Sequence, residues 1–441
     1  MARSPASSHR WVLLIAVLLV AAAASACKGE TSSTPPIETT TAPPPATLTP
    51  IPPITTPSPQ ARAPRPFEVS PPTEEMLSHG FSARHLIYAA EENGHSVVWK
   101  RDLSASSAEE ERIFEFDEAW PAEHPSEYQE QVLPYVALSW DGTRLAYVDP
   151  GGIGIFDLET KASRRLAGSL PRTTEKPVGE FGGACCFSHF SYPLWSSDGR
   201  FISVQLTEYE SMSGGVLDTS DGSACVPRWR NGNLSGVAVA WSPTGHHLVA
   251  HSADNYSYSG LYLSDKDDPC SGDDISWVYS GQDNWNAFEE AAWSPDEKLL
   301  AFSYVLHIKT GHEKAMLGIM DVDGPSSTLI DNEEENRYPI FSPDGRLVYY
   351  IKSSSDGVSL WSYSVEERQR EEVARLPDGH RGYKPLFWTS EGFLALLSYE
   401  TSDQCHYQGC RDRLIVLDLN RGEVVYASMT RDSTAFLALT E

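Results

Sequence analysis

Three histidines and two adjacent carboxylates are the side chains best suited to chemistry in this 441-residue chain. His246 and His247 follow a turn motif, while His247 and His251 share one face of an expected strand and could bind one metal ion. Glu289 and Glu290 could act as a general acid and base, which requires a defined separation across a pocket. Surface histidines are common, and adjacency does not place two carboxylates across a substrate, so no catalytic or metal-ligating residue is predicted.

Two acidic runs could supply oxygen ligands to calcium. They read "SDKDDPCSGDD" from Ser264 and "DNEEENR" from Asp331. Neither run has the spacing of a calcium loop, with its fixed glycine and terminal glutamate. We therefore expect solvated loops and no cofactor, with calcium kept as the alternative.

Beyond Cys27 the chain has an even number of cysteines, which suits disulfide bonds in an exported protein: Cys185, Cys186, Cys225, Cys270, Cys405 and Cys410. The phrase "CHYQGC" could close a small loop between Cys405 and Cys410. The adjacent pair at 185 and 186 is expected to bond outward, to Cys225 and Cys270, and not to itself. Zinc is the competing interpretation, but paired C-x-x-C motifs are missing from the chain.

A short phrase recurs along the chain and indicates how these residues are positioned. Its copies read "ALSWDGTRLAYV", "PLWSSDGRFISV", "VAWSPTGHHLVA", "AAWSPDEKLLAF", "PIFSPDGRLVYY" and "LFWTSEGFLALL". Counted at the glycine position, the spacings are 57, 46, 52, 48 and 47 residues. Periods near 40 to 50 residues are typical of propellers and other repeat arrays.

Each repeat predicts one four-stranded antiparallel blade. Ser-Pro-Asp-Gly is a tight turn, because proline sets the backbone angle and glycine accepts a positive φ. The runs after Gly345, "RLVYYI", "VSLWSYSV" and "EEVARL", supply further strands. The aromatic position before each turn could form a sugar platform, but its recurrence favours packing between blades: Leu138, Trp195, Trp241, Trp293, Phe341 and Trp388.

Seven blades account for all the strands. Residues 85–116 supply three strands of a blade that lacks its first strand, and residues 433–439 supply one spare strand. We expect an all-β, seven-bladed propeller whose C-terminal strand completes the N-terminal blade and closes the ring, with six or eight blades as alternatives.

The repeat resembles those of TolB-like and WD-repeat-like β-propellers, which also form the propeller portions of prolyl oligopeptidases. Departures from the phrase are Thr244 with Gly245 in place of Asp-Gly, and Glu297 in place of Gly. A peptidase would need a Gly-x-Ser-x-Gly nucleophile motif and a second domain, and the chain lacks the motif. TolB resemblance also implies an N-terminal α/β domain, which this chain replaces with a Pro- and Thr-rich segment.

The N-terminal region reads as an export signal followed by a tether. Residues 1–26 have the basic, apolar and small-residue order of a signal peptide, and "ASAC" resembles a bacterial lipobox that would lipidate Cys27. An ordinary signal peptide is the alternative. Residues 27–72 are rich in Pro and Thr and are expected to be a disordered tether, which leaves residues 73–441 for the propeller.

The charge balance excludes one class of partner. The chain has 61 acidic and 34 basic residues and a net charge of −27, so it would repel phosphate backbones and anionic lipid heads. We expect no nucleic-acid partner, membrane contact only through lipidated Cys27, and a monomeric propeller.

Loops on a stiff scaffold are where binding usually occurs, which favours a non-enzymatic binding or scaffolding module in the bacterial envelope. Its partner would be an envelope protein or a cell-wall polymer. The candidate binding residues lie in three aromatic segments: Phe181, Phe187 and Phe190; Tyr256 and Tyr258; and Trp285. The alternative is a propeller hydrolase or lyase that acts on glycan or lactone with calcium at the central channel.

Overall fold

A computed structural model describes residues 66–70, 75–78, 81–92, 95–103, 110–115, 136–149, 152–168, 187–208, 212–225, 228–229, 236–252, 258–279, 284–308, 312–324, 327–377, 381–400, 412–428 and 434–440. The regular structure of these residues consists of thirty-one β-strands, numbered β1 to β31 in chain order. The described part has no helix long and apolar enough to cross a membrane.

The strands form seven sheets, each with a core of four antiparallel strands. In radial order, blade 1 consists of β31 (Thr434–Thr440), β3 (His85–Glu92), β4 (His95–Asp102) and β5 (Glu110–Glu115). Blade 2 consists of β6 (Val136–Leu138), β7 (Arg144–Asp149), β8 (Gly152–Asp157) and β9 (Ser163–Gly168). Blade 3 consists of β10 (Phe187–Trp195), β11 (Phe201–Glu208), β12 (Met212–Asp218) and β13 (Ala224–Cys225).

The remaining four blades follow the same order. Blade 4 consists of β15 (Gly236–Trp241), β16 (Leu248–Ser252), β17 (Tyr258–Asp265) and β18 (Asp268–Tyr279), with β14 (Arg228–Trp229) added outside. Blade 5 consists of β19 (Asn284–Trp293), β20 (Leu299–Ile308), β21 (His312–Asp321) and β22 (Ser327–Asp331). Blade 6 consists of β23 (Glu335–Phe341), β24 (Leu347–Ser354), β25 (Gly357–Ser364) and β26 (Arg370–Leu376). Blade 7 consists of β27 (Arg381–Trp388), β28 (Leu394–Glu400), β29 (Arg413–Asp418) and β30 (Glu423–Ala427).

The structure confirms the seven-bladed propeller and the way its ring closes. The C-terminal strand β31 pairs antiparallel with β3, with Leu86 opposite Leu439. The last strand of the chain is therefore the first strand of the first blade, as the sequence predicts.

The repeated phrase forms the turn between the first and second strands of a blade. In blade 6 the Ser342 hydroxyl donates to Asp344 Oδ1 at 2.6 Å and accepts the Leu347 N–H at 3.0 Å, and Gly345 has φ of 72°. The same serine–aspartate bond recurs in blades 2, 3 and 5 at 2.6 to 2.7 Å. The motif thus satisfies its own polar groups locally, which explains why it can be recognised in sequence.

The two departures from the motif compensate for each other. Glu297 Oε1 of blade 5 accepts hydrogen bonds from both the backbone N–H and the hydroxyl of Thr244 in blade 4, each at 2.6 Å. Burial opposes ionisation of Glu297, but the hydrogen bonds from Thr244 outweigh it and hold the pKa of this carboxyl below its usual range. The missing aspartate of one turn is therefore replaced by a carboxylate from the next blade.

The hydrophobic core is divided among the blade interfaces. Seven clusters of buried residues each join two consecutive blades, and the cluster that contains Tyr88 and Tyr426 joins blade 7 to blade 1. Each four-stranded sheet thus buries its faces only against its neighbours, so no blade has a core of its own.

The tryptophans before the turns pack between blades, which confirms the structural interpretation over a sugar platform. Trp195 is 2% exposed, and its indole N–H donates to the Ala137 carbonyl of the preceding blade at 2.9 Å. Trp388 donates likewise to the Phe341 carbonyl at 2.7 Å. Buried indole N–H groups usually find such a partner, and here the bonds of Trp195 and Trp388 connect neighbouring blades.

A short N-terminal strap crosses the outside of two blades before the chain enters blade 1. Its strand β1 (Phe67–Glu68) pairs parallel with β26, and β2 (Met76–Leu77) pairs antiparallel with β30. Val69 is buried against blade 6. The boundary expected after residue 72 therefore divides a segment that pairs with the propeller on both sides.

The strap also ties the seam between blades 7 and 1. Glu75 forms an ion pair with Arg101 of blade 1 and accepts a hydrogen bond from the Tyr426 hydroxyl of blade 7 at 3.2 Å. Arg101 is 6% exposed and also pairs with Glu110 at 2.8 Å. Because Arg101 pairs with both Glu75 and Glu110, the free-energy cost of burying its charge is compensated.

One disulfide bond joins Cys225 of blade 3 to Cys270 of blade 4, with 6.0 Å between their Cα atoms. This pairing corrects the expectation that these two cysteines would bond with Cys185 and Cys186. The physical reason is that β13 and β18 place Cys225 and Cys270 side by side at the outer part of one blade interface. Cys185, Cys186, Cys405, Cys410 and Cys27 lie outside the described residues.

Replacing both Cys225 and Cys270 with alanine should lower the free energy of unfolding by up to about 4 kcal/mol, because a 45-residue loop is freed in the unfolded chain. Chemical denaturation of the double variant under oxidising conditions measures this loss. Reduction of the parent protein is a poorer test, because it acts on every disulfide at once. An unchanged denaturation midpoint would show that the bond contributes nothing.

Candidate functional site

The propeller has two unlike faces. We call the face with the turns between first and second strands the turn face, and the opposite one the loop face. Turns of adjacent blades touch: Arg144 donates to the Gly199 carbonyl at 3.2 Å, and the Ser197 hydroxyl donates to the Ser242 carbonyl at 2.7 Å. The turns of this face are short. These contacts, and the hydrogen bonds from Thr244 to Glu297, hold neighbouring turns together.

The three predicted aromatic segments all join strand ends at the loop face. They connect β9 to β10, β16 to β17 and β18 to β19, which are connections from a fourth to a first strand or from a second to a third. Phe187 and Phe190 lie in β10, Tyr258 in β17 and Trp285 in β19, whereas Phe181 and Tyr256 lie outside the described residues. The segment with Cys405 and Cys410 joins β28 to β29 and therefore belongs to the same face.

Two of the three histidines singled out in the sequence have other partners. His246 pairs with Asp267, and His247 Nδ1 lies 3.0 Å from the Ser264 carbonyl oxygen and stacks on Trp293. His251 lies in β16. Within the described ranges, no group of three or more histidine, cysteine, aspartate or glutamate side chains could hold a metal ion.

The second acidic run forms an ion-pair network, not a calcium loop. Asp331 is 1% exposed and pairs with Lys352 at 3.2 Å and Arg370 at 2.7 Å. The Tyr350 hydroxyl donates to the same carboxylate at 3.1 Å. All of these partners join blade 5 to blade 6, so the run has a structural role.

The first strands of the blades surround the axis of the ring, because from blade 1 through blade 7 each contacts the first strand of the blade that follows it along the chain. In blades 1 and 4 to 7 the pairing between first and second strands shifts register once, and in blade 3 it shifts twice. Such bulges redirect side chains and are common beside functional sites. The bulges of blades 5 to 7 contain or adjoin Glu290, Tyr338 and Lys384.

These blades bring together a polar group that we call the inner-strand cluster: Ser303, Glu290, Tyr338, Lys384 and Tyr399. Glu290 Oε2 accepts hydrogen bonds from the Ser303 hydroxyl and, at 3.5 Å, from the Tyr338 backbone N–H. The Tyr338 and Tyr399 hydroxyl oxygens are 3.3 Å apart. Lys384 Nζ lies 5.5 Å from the centre of the Tyr338 ring.

Two backbone features hold the tyrosines in place. Tyr338 has φ of 58°, a left-handed conformation that costs a non-glycine residue about 1 to 2 kcal/mol. Gly382 pairs with Tyr399 across the strands, and a Cβ atom at this glycine would overlap the Tyr399 ring. Any larger residue at position 382 would therefore displace the Tyr399 ring. Strain and close approach of this kind recur at ligand sites.

Burial shifts the pKa of three ionisable groups in the cluster: Lys384, Tyr338 and Tyr399. Burial lowers the pKa of the Lys384 ammonium, and the charge of Glu290 only partly opposes this shift. Burial likewise raises the pKa of both tyrosines, so their hydroxyls stay protonated. The cluster can therefore offer an ammonium and a hydroxyl as hydrogen-bond donors beside a carboxylate.

Sequence reasoning considered Glu290 with Glu289 but missed its partners. Tyr338, Lys384 and Tyr399 lie in two other blades, so no local spacing connects them with Glu290. One signal was present: Tyr-Pro precedes the aromatic position in "SYPLW" and "RYPIF", and both tyrosines, Tyr192 and Tyr338, have positive φ. A tyrosine before proline is restricted mainly to extended backbone, which makes this pair unusual.

Comparison with known proteins gives similarity without an assigned family. No family model matches the chain. An uncharacterized protein of Agrobacterium fabrum is 26% identical over 247 residues, which cover 53% of this chain and 74% of that protein.

Among solved structures, TolB from Acinetobacter baumannii is 16% identical with a TM-score of 0.38, over 67% of this chain and 64% of that one. A putative TolB from Agrobacterium tumefaciens is 19% identical with a TM-score of 0.40, over 56% and 90%. A putative 6-phosphogluconolactonase from Bacteroides uniformis is 15% identical with a TM-score of 0.47, over 80% and 100%. The chain's own seven sheets, and not these similarities, establish its fold.

Replacing Lys384 with methionine should raise the denaturation midpoint at neutral pH, because the ammonium is desolvated without an ion-pair partner among the described residues. Because the pKa of Lys384 is lowered in the folded protein, the unfolded chain binds more protons than the folded one at pH values between the folded-state pKa and about 10.4. Wild type should therefore gain stability relative to the variant as pH rises through this window.

The matched control is Lys298→Met, which removes an exposed lysine of the turn face and should change stability by about 0.5 kcal/mol or less. Denaturation of both variants from neutral pH to about pH 10 supplies the comparison. If Lys384→Met were strongly destabilising at neutral pH, the lysine would be a stabilising charge and the assignment would be wrong.

Proposed function

We propose that the chain is a membrane-anchored extracytoplasmic binding or scaffolding module. Its loop face contacts an envelope protein or a cell-wall polymer. The propeller acts as a monomeric, rigid platform and binds no nucleic acid.

The observation that carries this proposal is the asymmetry of the two faces. All three aromatic segments join strand ends at the loop face, whereas the turns of the opposite face are held by bonds such as that between Thr244 and Glu297. Aromatic side chains dominate binding energy at interfaces. A rigid ring whose aromatic segments all join strand ends on one side is suited to hold a partner there.

The N-terminal sequence supports the location. A signal-like segment, the lipobox-like "ASAC" at Cys27 and a Pro- and Thr-rich stretch precede the strap at Phe67. Lipid on Cys27 would hold the module at a membrane, and the extended stretch would give it reach. The net charge of −27 argues against direct binding to anionic lipid.

A calcium-dependent hydrolase or lyase is the alternative function. Such an enzyme would need several ligand side chains that converge on the axis. Among the residues that the structure describes, the acidic runs lie elsewhere and form no metal-ligand group. The binding proposal is preferred because strand order places all three aromatic segments at the loop face.

The test is capture of partners from the native envelope after chemical crosslinking, with the full chain as bait. Replacing Tyr258 and Trp285 with alanine should abolish a stoichiometric partner or reduce its recovery at least tenfold. The matched control is Trp140→Ala, which removes a tryptophan that is 71% exposed on the turn face.

Recovery of the same partner by the parent and the Trp140 variant, with its loss in the loop-face variant, supports the proposal. Loss in the Trp140 variant alone would move the binding surface to the turn face. Capture that persists in both variants would contradict a role for these aromatic segments. Circular dichroism of each variant verifies that the propeller has folded.

A further inference from the structure

We infer that the inner-strand cluster is a binding site for a single carboxylate group, which reaches it from the loop face. The site is separate from the aromatic segments and could be occupied whether or not the loop face binds a macromolecule. The carboxylate could belong to a small molecule or to the C-terminus of a peptide, because the same donors would recognise both.

Two hydrogen-bond donors of the cluster have no acceptor among the described residues. The Lys384 ammonium carries three N–H donors and makes no hydrogen bond or ion pair within the part of the chain that the structure describes; it lies over the ring of Tyr338. The bond between Tyr338 and Tyr399 uses one hydroxyl hydrogen and leaves the other available. An ammonium and a hydroxyl at one place are the groups that bind a carboxylate by charge-assisted hydrogen bonds.

The acceptor side of the cluster limits the charge of the ligand. Glu290 is held by Ser303 and by the Tyr338 N–H, and its charge acts on Lys384. A dianion such as phosphate would add two negative charges beside this fixed carboxylate, whereas a carboxylate adds only one. The site therefore favours a monoanion.

The protein itself positions the two tyrosine hydroxyls of the cluster, without help from a ligand. The φ of 58° at Tyr338 and the room left by Gly382 for the Tyr399 ring set the two hydroxyls in position. Each feature occurs singly elsewhere, since Tyr192 also has a positive φ and Gly154 leaves room for the Tyr147 ring, but the cluster combines the two beside Lys384. Preorganised donors lower the entropy lost on binding.

The cluster lies near the loop face. Tyr338 and Lys384 are each the fourth residue of their first strands, which begin at Glu335 and Arg381 on that side. At about 3.3 Å per residue, the site is roughly 10 Å below these strand ends. A carboxylate on a short flexible stem can reach this depth.

The test uses NMR saturation transfer from the full chain to three probes: acetate, trialanine with a free C-terminus, and trialanine amide. We expect saturable binding of acetate or of free trialanine, and none of the amide. Lys384→Met should weaken that binding at least tenfold, while Lys298→Met, which removes an exposed lysine of the turn face, should leave it unchanged.

A second variant protects the test against a folding defect. Tyr399→Phe keeps the ring beside Gly382 and removes one hydroxyl, so it should weaken binding about three- to tenfold with an unchanged melting temperature. Tighter binding of free trialanine than of acetate would identify a peptide terminus as the source, and the reverse would identify a small carboxylate.

The inference is overturned if neither acid binds, if the amide binds equally well, or if phosphate binds as tightly as acetate. It is also overturned if Lys384→Met and Tyr399→Phe both retain full affinity. The Tyr258→Ala and Trp285→Ala variant should keep its carboxylate binding, so failure of the loop-face proposal is distinguishable from failure of this one.

Discussion

The structure depends on contact between blades, because a four-stranded sheet cannot bury its two faces by itself. Each hydrophobic cluster is shared by two neighbours, and the set is complete only when blade 7 meets blade 1. Closure rests on the pairing of β31 with β3 and on Glu75, which links Arg101 to Tyr426. The position of every first-strand residue around the axis follows from this closed arrangement.

The architecture could be predicted from sequence because the repeat is local. Ser342, Asp344 and Gly345 satisfy one another within a few residues, so their pattern survives in each copy. The strap could not be predicted, since Phe67 and Val69 follow a Pro-rich stretch and pair with residues about 300 positions away. Glu297 and Thr244 each depart from the repeated motif. The reason is visible only in the structure, where the Thr244 hydroxyl donates a hydrogen bond to Glu297 of the next blade.

The two candidate sites also differ in how far they could be predicted from the sequence. Strand order alone places the aromatic segments on one face, because alternate connections in an antiparallel blade emerge on the same side. The inner-strand cluster needs Glu290, Tyr338 and Lys384 from three different repeats, and only the closed ring makes them neighbours. Likewise, sequence spacing favoured the wrong partners for Cys225, because the side-by-side placement of β13 and β18 decides the bond.

The N-terminal strap also determines how the domain would bear a pulling force applied to the chain before Phe67. Tension that arrives along residues 27–66 reaches β1 first, then Glu75 and β2, and only afterwards the strands of blade 1. Two short pairings would yield before the ring is pulled open, because each holds only two residues to its neighbour. Detachment of the strap would also break the link of Glu75 to Arg101 and Tyr426, so the ring would then be held closed by the pairing of β31 with β3.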